Sequence, residues 1–580
     1  MSRQNIKQLT VGGFQVFADA VTIPLGPLTL LYGPNSAGKS AILDAMLALA
    51  DLCELCTSEQ VDFANVGRHP GVTLERHWRR EGDMQATLVD ALQLGAGIRT
   101  GGRDWALAGI AKHEILGIGP RYPKFAECYS CLRPLVEAKE LDVEVSFQYK
   151  LAKPESPSVP HVVRVGEKLI ELGIGGSPIL RWCESGRWAS INLDHPSLLA
   201  WAAAIDLKWL AKRYIEVGAD EYCAVREGWF VMTLCDELNP SLSKHDRLTT
   251  NVLDAVENAP GIAPSAEEWD RLRRAVTSFL NMFDGLYVSC LRVMRDRLRV
   301  PVVPASRAVP RSSEVTFLFN KLGNQQSGGR LGLMTNGLPE HLLLAQAAFF
   351  SEMERCGLIE ASTGLNKRKN IVDIVNHLLG NYLFQSSGYF VGARIHELTK
   401  LVGIDGANTN TSALDRTFLV TLELRDVSGR HFNFDEVGSG LGYVLPVLLA
   451  IGTADVAFLQ QPELHLHPAL QSELADALIV ALSDEAFGGI QSKGCKQIIA
   501  ETHSEHLLLR LLRRVRQTAD PDRSVDPHSL GREDLVVLYV DPKPDGTSTV
   551  KHLRIAKDGE FIDRWPRGFF EERGKELFDE

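Results

Sequence analysis

The stretch that most constrains this chain is Leu28 to Leu47, LTLLYGPNSAGKSAILDAML. An apolar, β-forming run from Leu28 to Tyr32 enters Gly33-Pro34-Asn35-Ser36-Ala37-Gly38-Lys39-Ser40. That octet fits G-x-x-x-x-G-K-[ST] at every fixed position, and a helical pattern follows at once. The order strand, loop, helix is that of a phosphate-binding loop. Gly33 and Gly38 let the backbone curl around Asn35 and Ser36 so that successive N–H groups face inward, toward the positive end of the new helix. Lys39 is placed to reach β- and γ-phosphates, and Ser40 to ligate Mg²⁺. The plainer alternative is a glycine-containing turn between a strand and a helix.

At 580 residues the chain exceeds one ordinary hydrophobic core, and the length prior suggests roughly three or four lobes. With 45% hydrophobic and 23% charged residues it has the composition of a soluble globular protein. A net charge of -11 argues against a surface that coats DNA or anionic lipid indiscriminately, although a local basic groove remains compatible with it. The opening MSRQNIKQLTVGG lacks a signal-peptide core, and Val437 to Ala454 reads as buried core rather than a span, so a cytoplasmic, non-membrane protein is expected. Two of the ten cysteines form the pair Cys53/Cys56 and two the pair Cys128/Cys131. Small buried thiols are the preferred reading, and a four-cysteine zinc site the alternative.

Ile6 to Leu25 reads as a strand pair leading into the phosphate-loop strand. Val61 to Leu94 reads as strands and loops with a basic cluster at Arg76, Arg79 and Arg80, and glycine-rich Gly95 to Gly119 as a loop. Val143, Val145, Phe147 and Tyr149 alternate cleanly, and Val162 to Leu172 and Leu180 to Leu193 are strand-like. From Pro196 the texture turns helical in Leu198 to Ile215, Trp269 to Leu298, Pro339 to Cys356 and Asn370 to Tyr382, with a short strand at Val300 to Pro304. Leu322 to Gly337 is expected to be a mobile loop. Strands resume at Thr417 to Leu424, Val456 to Leu459, Gln497 to Ala500, Leu535 to Val540 and Val550 to Ile555, with helices at Leu464 to Leu482 and Glu505 to Val515. The expected division is an N-terminal lobe, 1–195, with the phosphate loop; a mostly helical insertion, 196–410; and a C-terminal lobe, 411–580.

A strand ending in acceptors belongs beside such a loop, and Val456-Ala457-Phe458-Leu459-Gln460-Gln461-Pro462-Glu463-Leu464-His465-Leu466-His467-Pro468 is the candidate. It resembles the extended Walker B segment of the ATP-binding-cassette-like ATPases related to SMC and RecF heads, most closely the overcoming-lysogenisation-defect-like group of bacterial defence systems. Asp435-Glu436-Val437-Gly438-Ser439-Gly440-Leu441 resembles the signature segment that such ATPases present to a partner's nucleotide, with Ser439 and Gly440 as its contacts. Ile499-Ala500-Glu501-Thr502-His503-Ser504 resembles the switch segment, with His503 toward the γ-phosphate. The tail Phe561 to Phe570 is similar to the closing module of a subset that includes the PtuA ATPases of Septu and retron systems, and Arg307 and Arg311 fall in a matching Arg-x-x-x-Arg stretch.

The resemblance implies an α/β fold, a cassette-type head with its phosphate-loop sheet in two lobes and a large helical insertion. It implies ATP and Mg²⁺ as cofactors and a cytoplasmic dimer or higher oligomer joined through ATPase heads. An HNH-type nuclease in a separate subunit would be the partner, with nucleic acid as a further one. Gln460 and Gln461 depart from the pattern, standing where relatives carry the Mg²⁺-side carboxylate and the catalytic base. An amide accepts a hydrogen bond but is no useful proton acceptor, so slow hydrolysis is expected, with Gln460 contacting Mg²⁺ through water. Glu463 is the nearest substitute carboxylate, although the pattern places it at an interface. His465 and His467 read as hydrogen-bonding groups, with zinc the alternative. A DNA-repair head using Arg510, Arg513, Arg514 and Arg516, and a scaffold holding unhydrolysed ATP, are the competing functions.

Overall fold

The computed structural model describes residues 6–57, 80–81, 87–88, 91–105, 132–151, 165–183, 188–205, 209, 212, 223–233, 265–306, 316–317, 363–383, 388–398, 417–434, 436, 439–482, 497–520 and 528–566. The first half holds β1 (Ile6–Gly12), β2 (Val21–Pro24), β3 (Leu28–Tyr32), α1 (Lys39–Thr57), β4 (Arg80–Glu81), β5 (Thr87–Leu88), β6 (Ala91–Thr100), α2 (Arg133–Val136), β7 (Leu141–Leu151), β8 (Val165–Ile174), β9 (Ser177–Cys183), β10 (Trp188–Asn192), α3 (Leu199–Ile205), β11 (Cys223–Arg226), β12 (Trp229–Thr233) and α4 (Ala266–Leu298). The second holds β13 (Val302–Val303), β14 (Thr316–Phe317), α5 (Thr363–Leu378) with a π-helical extension Leu379–Leu383, β15 (Phe390–Leu398), β16 (Thr417–Arg425), β17 (His431–Phe432), α6 (Ser439–Thr453), β18 (Val456–Gln460), α7 (Pro468–Ala481), β19 (Gln497–Glu501), α8 (Glu505–Thr518), β20 (Leu535–Pro542) and β21 (Ser548–Leu553).

The chain forms two units, neither continuous in sequence. The first comprises Met1–Leu25, Pro34–Arg299 and Val540–Val550, and the second Gly26–Gly33, Val300–Tyr539 and Lys551–Glu580.

The first unit is built on a nine-stranded sheet in the order β11-β12-β10-β9-β8-β7-β6-β1-β2, with every neighbouring pair antiparallel. Antiparallel strands with one wet face alternate apolar and polar residues. β7 does so, burying Leu141, Val143, Val145, Phe147 and Tyr149 and turning Asp142, Glu144, Ser146 and Gln148 outward. Against the buried face lie α1 and α4, the latter started by a capping box between Ser265 and Glu268.

The second unit carries a sheet in the order β13-β18-β19-β3-β20-β21, in which β13 through β20 run parallel. Parallel strands are covered on both faces and therefore read as continuous apolar runs. β3 (LTLLY) is buried at all five positions, as is β19 (QIIAE). One face, formed by Leu28, Leu30, Tyr32, Ala457, Leu459, Ile498 and Ala500, shares a core with residues of α5, α6, α7 and α8. A smaller antiparallel sheet, β14-β16-β15 with β17 on β16, completes the unit.

The α/β class and the phosphate-loop strand inside a parallel sheet match the sequence reading. Several local readings change. Residues 91–100 are β6 rather than the start of a loop: Gly95 lies where a Cβ would meet the Val145 carbonyl oxygen at 2.8 Å, so its glycine reflects close strand packing. The described part of 196–410 holds α3, α4 and α5 but also β11 through β15, so helical periodicity accounts for only part of it. Leu322 to Gly337, Pro339 to Cys356, Cys128, Cys131, Arg307 and Arg311 lie outside the described residues.

Candidate functional site

Within the first unit, residues 34–40 form a tight curl closed by Ala37 N–H to Pro34 C=O at 3.3 Å and Ala41 N–H to Gly38 C=O at 3.1 Å. Ser36 and Gly38 have positive φ, 64° and 99°, and Gly33, the residue before the curl in sequence, has φ 143°. Residues with positive φ turn consecutive N–H groups toward one centre, which is how a backbone nest for phosphate is made. Lys39 is only 3% exposed, and its ammonium donates to the Pro34 carbonyl at 3.0 Å, folding the side chain back along the loop. Ser40 is the second residue of α1, at the positive end of a helix of 19 residues.

The curl is braced from outside by two groups that sequence reading did not single out. Ser548 donates its hydroxyl to the Ala37 carbonyl at 2.7 Å, and its own N–H binds the Val16 carbonyl at 2.8 Å. A Cβ on Gly38 would lie 2.2 Å from Val16 Cγ2. Neither residue carries a motif; only the long-range fold brings them to the loop.

In the second unit, the carboxyl ends of β18, β19 and β3 lie side by side. Ligands of open parallel sheets gather outside such ends. Gln460 is the last residue of β18, and Gln461 turns the chain off the sheet with φ 46°, its N–H donating to the Glu501 carbonyl at 2.7 Å. A positive φ at a non-glycine residue stores strain and clusters at functional sites. Glu463 is 8% exposed and accepts the His503 N–H on Oε1 at 2.9 Å, so it is an internal strut of the switch turn rather than a surface group. Tyr32, also unremarked in the sequence, donates its hydroxyl to the Ser504 carbonyl at 3.0 Å. Burial, and after it the Glu463 carboxylate, pushes the Tyr32 phenol well above its ordinary range. Ser504 caps α8 by accepting the Leu507 N–H and donates to Gln471 at 2.6 Å. The turn carrying His503 is therefore fixed from three sides.

Ser439 is the first residue of α6, and Gly440 packs so close to the turn after β18 that a Cβ would meet the His465 carbonyl at 2.8 Å. His465 sits 4.3 Å from the Tyr443 ring, and His467 is the N-cap of α7, its Nδ1 accepting the Ala469 N–H. Asn35, Ser36, Gly38, Lys39 and Ser40 thus belong to the first unit. Gly33, Ser439, Gly440, Gln460, Gln461, Glu463 and His503 belong to the second.

Three of the four arginines of α8 are engaged in ion pairs, and Arg513 is exposed. Arg510 and Arg514 bind buried Asp476 at 2.7 and 2.8 Å, and Arg516 binds Glu560 at 2.6 Å. Cys53 and Cys56 are buried thiols in α1, not joined in a disulfide. Among the described residues no helix is long and apolar enough to cross a membrane.

The parallel sheet and the glycine-lysine loop motif that follows β3 are those of a mixed α/β P-loop fold. Residues 386–510 match the family described as "AAA domain, putative AbiEii toxin, Type IV TA system", a segment that includes Ser439, both glutamines and His503. That likeness is confined to residues 386–510. No curated protein matches the sequence. Among solved structures, the SMC head domain from Thermotoga maritima aligns at TM-score 0.32 and 10% identity, covering 95% of this chain and 100% of that one. The Smc head domain with an extended coiled coil bound to the C-terminal domain of ScpA, from Pyrococcus furiosus, aligns at 0.31 and 11%, covering 99% of each. Likenesses this loose carry no further conclusion.

Proposed function

We propose that this chain binds ATP with Mg²⁺ on the Gly33–Ser40 loop and hydrolyses it slowly, as an SMC-like ATPase subunit. The observation that carries the reading is the curl itself: positive φ at Ser36 and Gly38, a lysine folded along it and a serine at the helix start. These residues fit a nucleotide. Gly33, Asn35, Ser36 and Gly38 supply the nest, Lys39 the cation for the β- and γ-phosphates, Ser40 a hydroxyl for Mg²⁺, and bound Mg²⁺ neutralises phosphate charge. The resemblance assigns His503 to the γ-phosphate, and Ser439 and Gly440 to the nucleotide of a second copy. Slow turnover follows from Gln460 and Gln461, whose amides take up no proton from an attacking water.

The biological setting we infer is an antiphage defence complex in which ATP-driven pairing of heads gates a separate nuclease of HNH type. Support comes from the resemblance to the PtuA group and from the toxin–antitoxin description of the matched family. The DNA-repair reading is weakened because three of its four α8 arginines are paired with Asp476 and Glu560.

Titration of ATP into the purified chain tests the core of the proposal. Micromolar binding that Lys39→Ala abolishes, with turnover well below the ordinary ~1–10³ s⁻¹ range, is the expected result. Turnover inside that range would overturn the slow-hydrolysis reading. Recovery of the chain without a nuclease from its native host would count against the gating role.

A further inference from the structure

Tyr32 ends β3 and pairs with Tyr539 of β20, so the two rings project from one face of the parallel sheet. Both are buried. Trp565 stands edge-on against each, its ring centroid 5.5 Å from that of Tyr32 at 89° and 6.2 Å from that of Tyr539 at 86°, and Phe561 backs it at 5.1 Å. Edge-to-face contact is a favoured arrangement of aromatic rings and sets their mutual angle. Held at that angle, the Tyr32 hydroxyl donates to the Ser504 carbonyl, which also accepts the Leu508 N–H in the first turn of α8.

The segment that delivers Trp565 is itself anchored. Arg554 donates to the Asp563 carboxylate, and Ile555 bridges to Phe561. Between them, Arg516 of α8 donates to the Asp558 carbonyl and binds Glu560, and Gly559 packs so close to the Leu512 carbonyl that a Cβ would not fit. Residues 554–565 therefore grip α8 near its end through Arg516 and reach its start through Tyr32. All of these residues belong to the second unit.

We propose that Trp565 is a positioning residue for the turn that carries His503: it holds the Tyr32 ring where the phenol fixes the Ser504 carbonyl, and through it the cap of α8. The segment 554–565 is then the lock of that turn. The consequence for ATP hydrolysis rests on the reading of the turn as the switch segment; the lock itself does not.

The test is amide hydrogen exchange of residues 502–508 in the full chain, read by mass spectrometry with the amides of β18 as control, beside ATP affinity and turnover. Tyr32→Phe keeps the ring, removes the hydroxyl and should speed exchange of the turn about fivefold. Trp565→Ala should speed it at least as much, and Trp565→Phe should keep most of the protection. Trp565→Ala added to Tyr32→Phe should change little more, because both act through one bond. An unchanged turn in Tyr32→Phe or in Trp565→Ala overturns the proposal, as does full additivity of the two. Exchange that rises equally in β18 makes Trp565 general core packing and also overturns it. Turnover should fall severalfold in Trp565→Ala with ATP affinity kept. A loosened turn with turnover unchanged supports the lock and removes the turn's assignment to the γ-phosphate. If the unaltered chain binds no ATP, the nucleotide-binding reading falls and the exchange data alone decide the lock.

Discussion

Replacing Gly38 by alanine separates two constraints on the phosphate loop. At φ 99° a side chain is strained, a cost of about 1–2 kcal/mol. The new Cβ would also lie 2.2 Å from Val16 Cγ2, and overpacking of this kind costs about 1–3 kcal/mol. Val16 is half-buried at a loop tip, so it can move partway, which favours a sum near the lower end, about 2–4 kcal/mol. If that penalty falls on the binding-competent loop, 2 kcal/mol weakens ATP about thirtyfold. The double variant Val16→Ala/Gly38→Ala removes the clash and leaves the backbone strain. ATP titration and denaturant unfolding of the four proteins form a double-mutant cycle, with an expected recovery of about 1 kcal/mol or more. A double variant no better than Gly38→Ala alone would refute the contact, and wild-type affinity in Gly38→Ala would refute the strained loop.

Ser548→Ala removes the donor to the Ala37 carbonyl at 2.7 Å; a buried acceptor left bare costs about 1–3 kcal/mol, and a several-fold loss of ATP affinity with little change in the unfolding slope is expected. Asp476→Asn strips the counter-charge from Arg510 and Arg514. Because both arginines retain some exposure, the expected destabilisation is about 2–3 kcal/mol, read as a lower urea midpoint. Burial pushes the Cys290 thiol up from 9.0 to about 12. The folded state then keeps a proton that the unfolded state releases, so stability present below about pH 9 is lost as pH rises toward 12. Cys53 and Tyr287 shift the same way, so Cys290→Ala should flatten the fall in urea midpoint between pH 8 and pH 10 only in part; no flattening would refute the assignment.

What the sequence revealed was local. β3 and its loop announce themselves because an apolar run, two glycines and a helix start are contiguous, and β18 and β19 because parallel strands are apolar throughout. The hairpin of β11 and β12 was within reach. Glu227 and Gly228, at φ 48° and 81°, make a two-residue turn between paired Arg226 and Trp229, but a lone glycine among helical periodicities gave a weak signal. The brace from Ser548 to Ala37 spans 511 positions, and the two units interleave segments of the chain; no spacing rule reaches either. Glu501 was visible as an acid beside His503, yet its pairing with Gln460 is a property of register.

Of the two amides, Gln461 stands where the resembled group carries its base. Gln461→Glu would restore a proton acceptor there without new backbone strain, since glutamate and glutamine bear the same cost at φ 46°. If the missing base limits turnover, the steady-state rate of ATP hydrolysis should rise about tenfold or more, since general-base help is worth about 10²–10⁴-fold where it is well placed. A rate no higher than that of the unaltered chain would refute the assignment of slow hydrolysis to that amide.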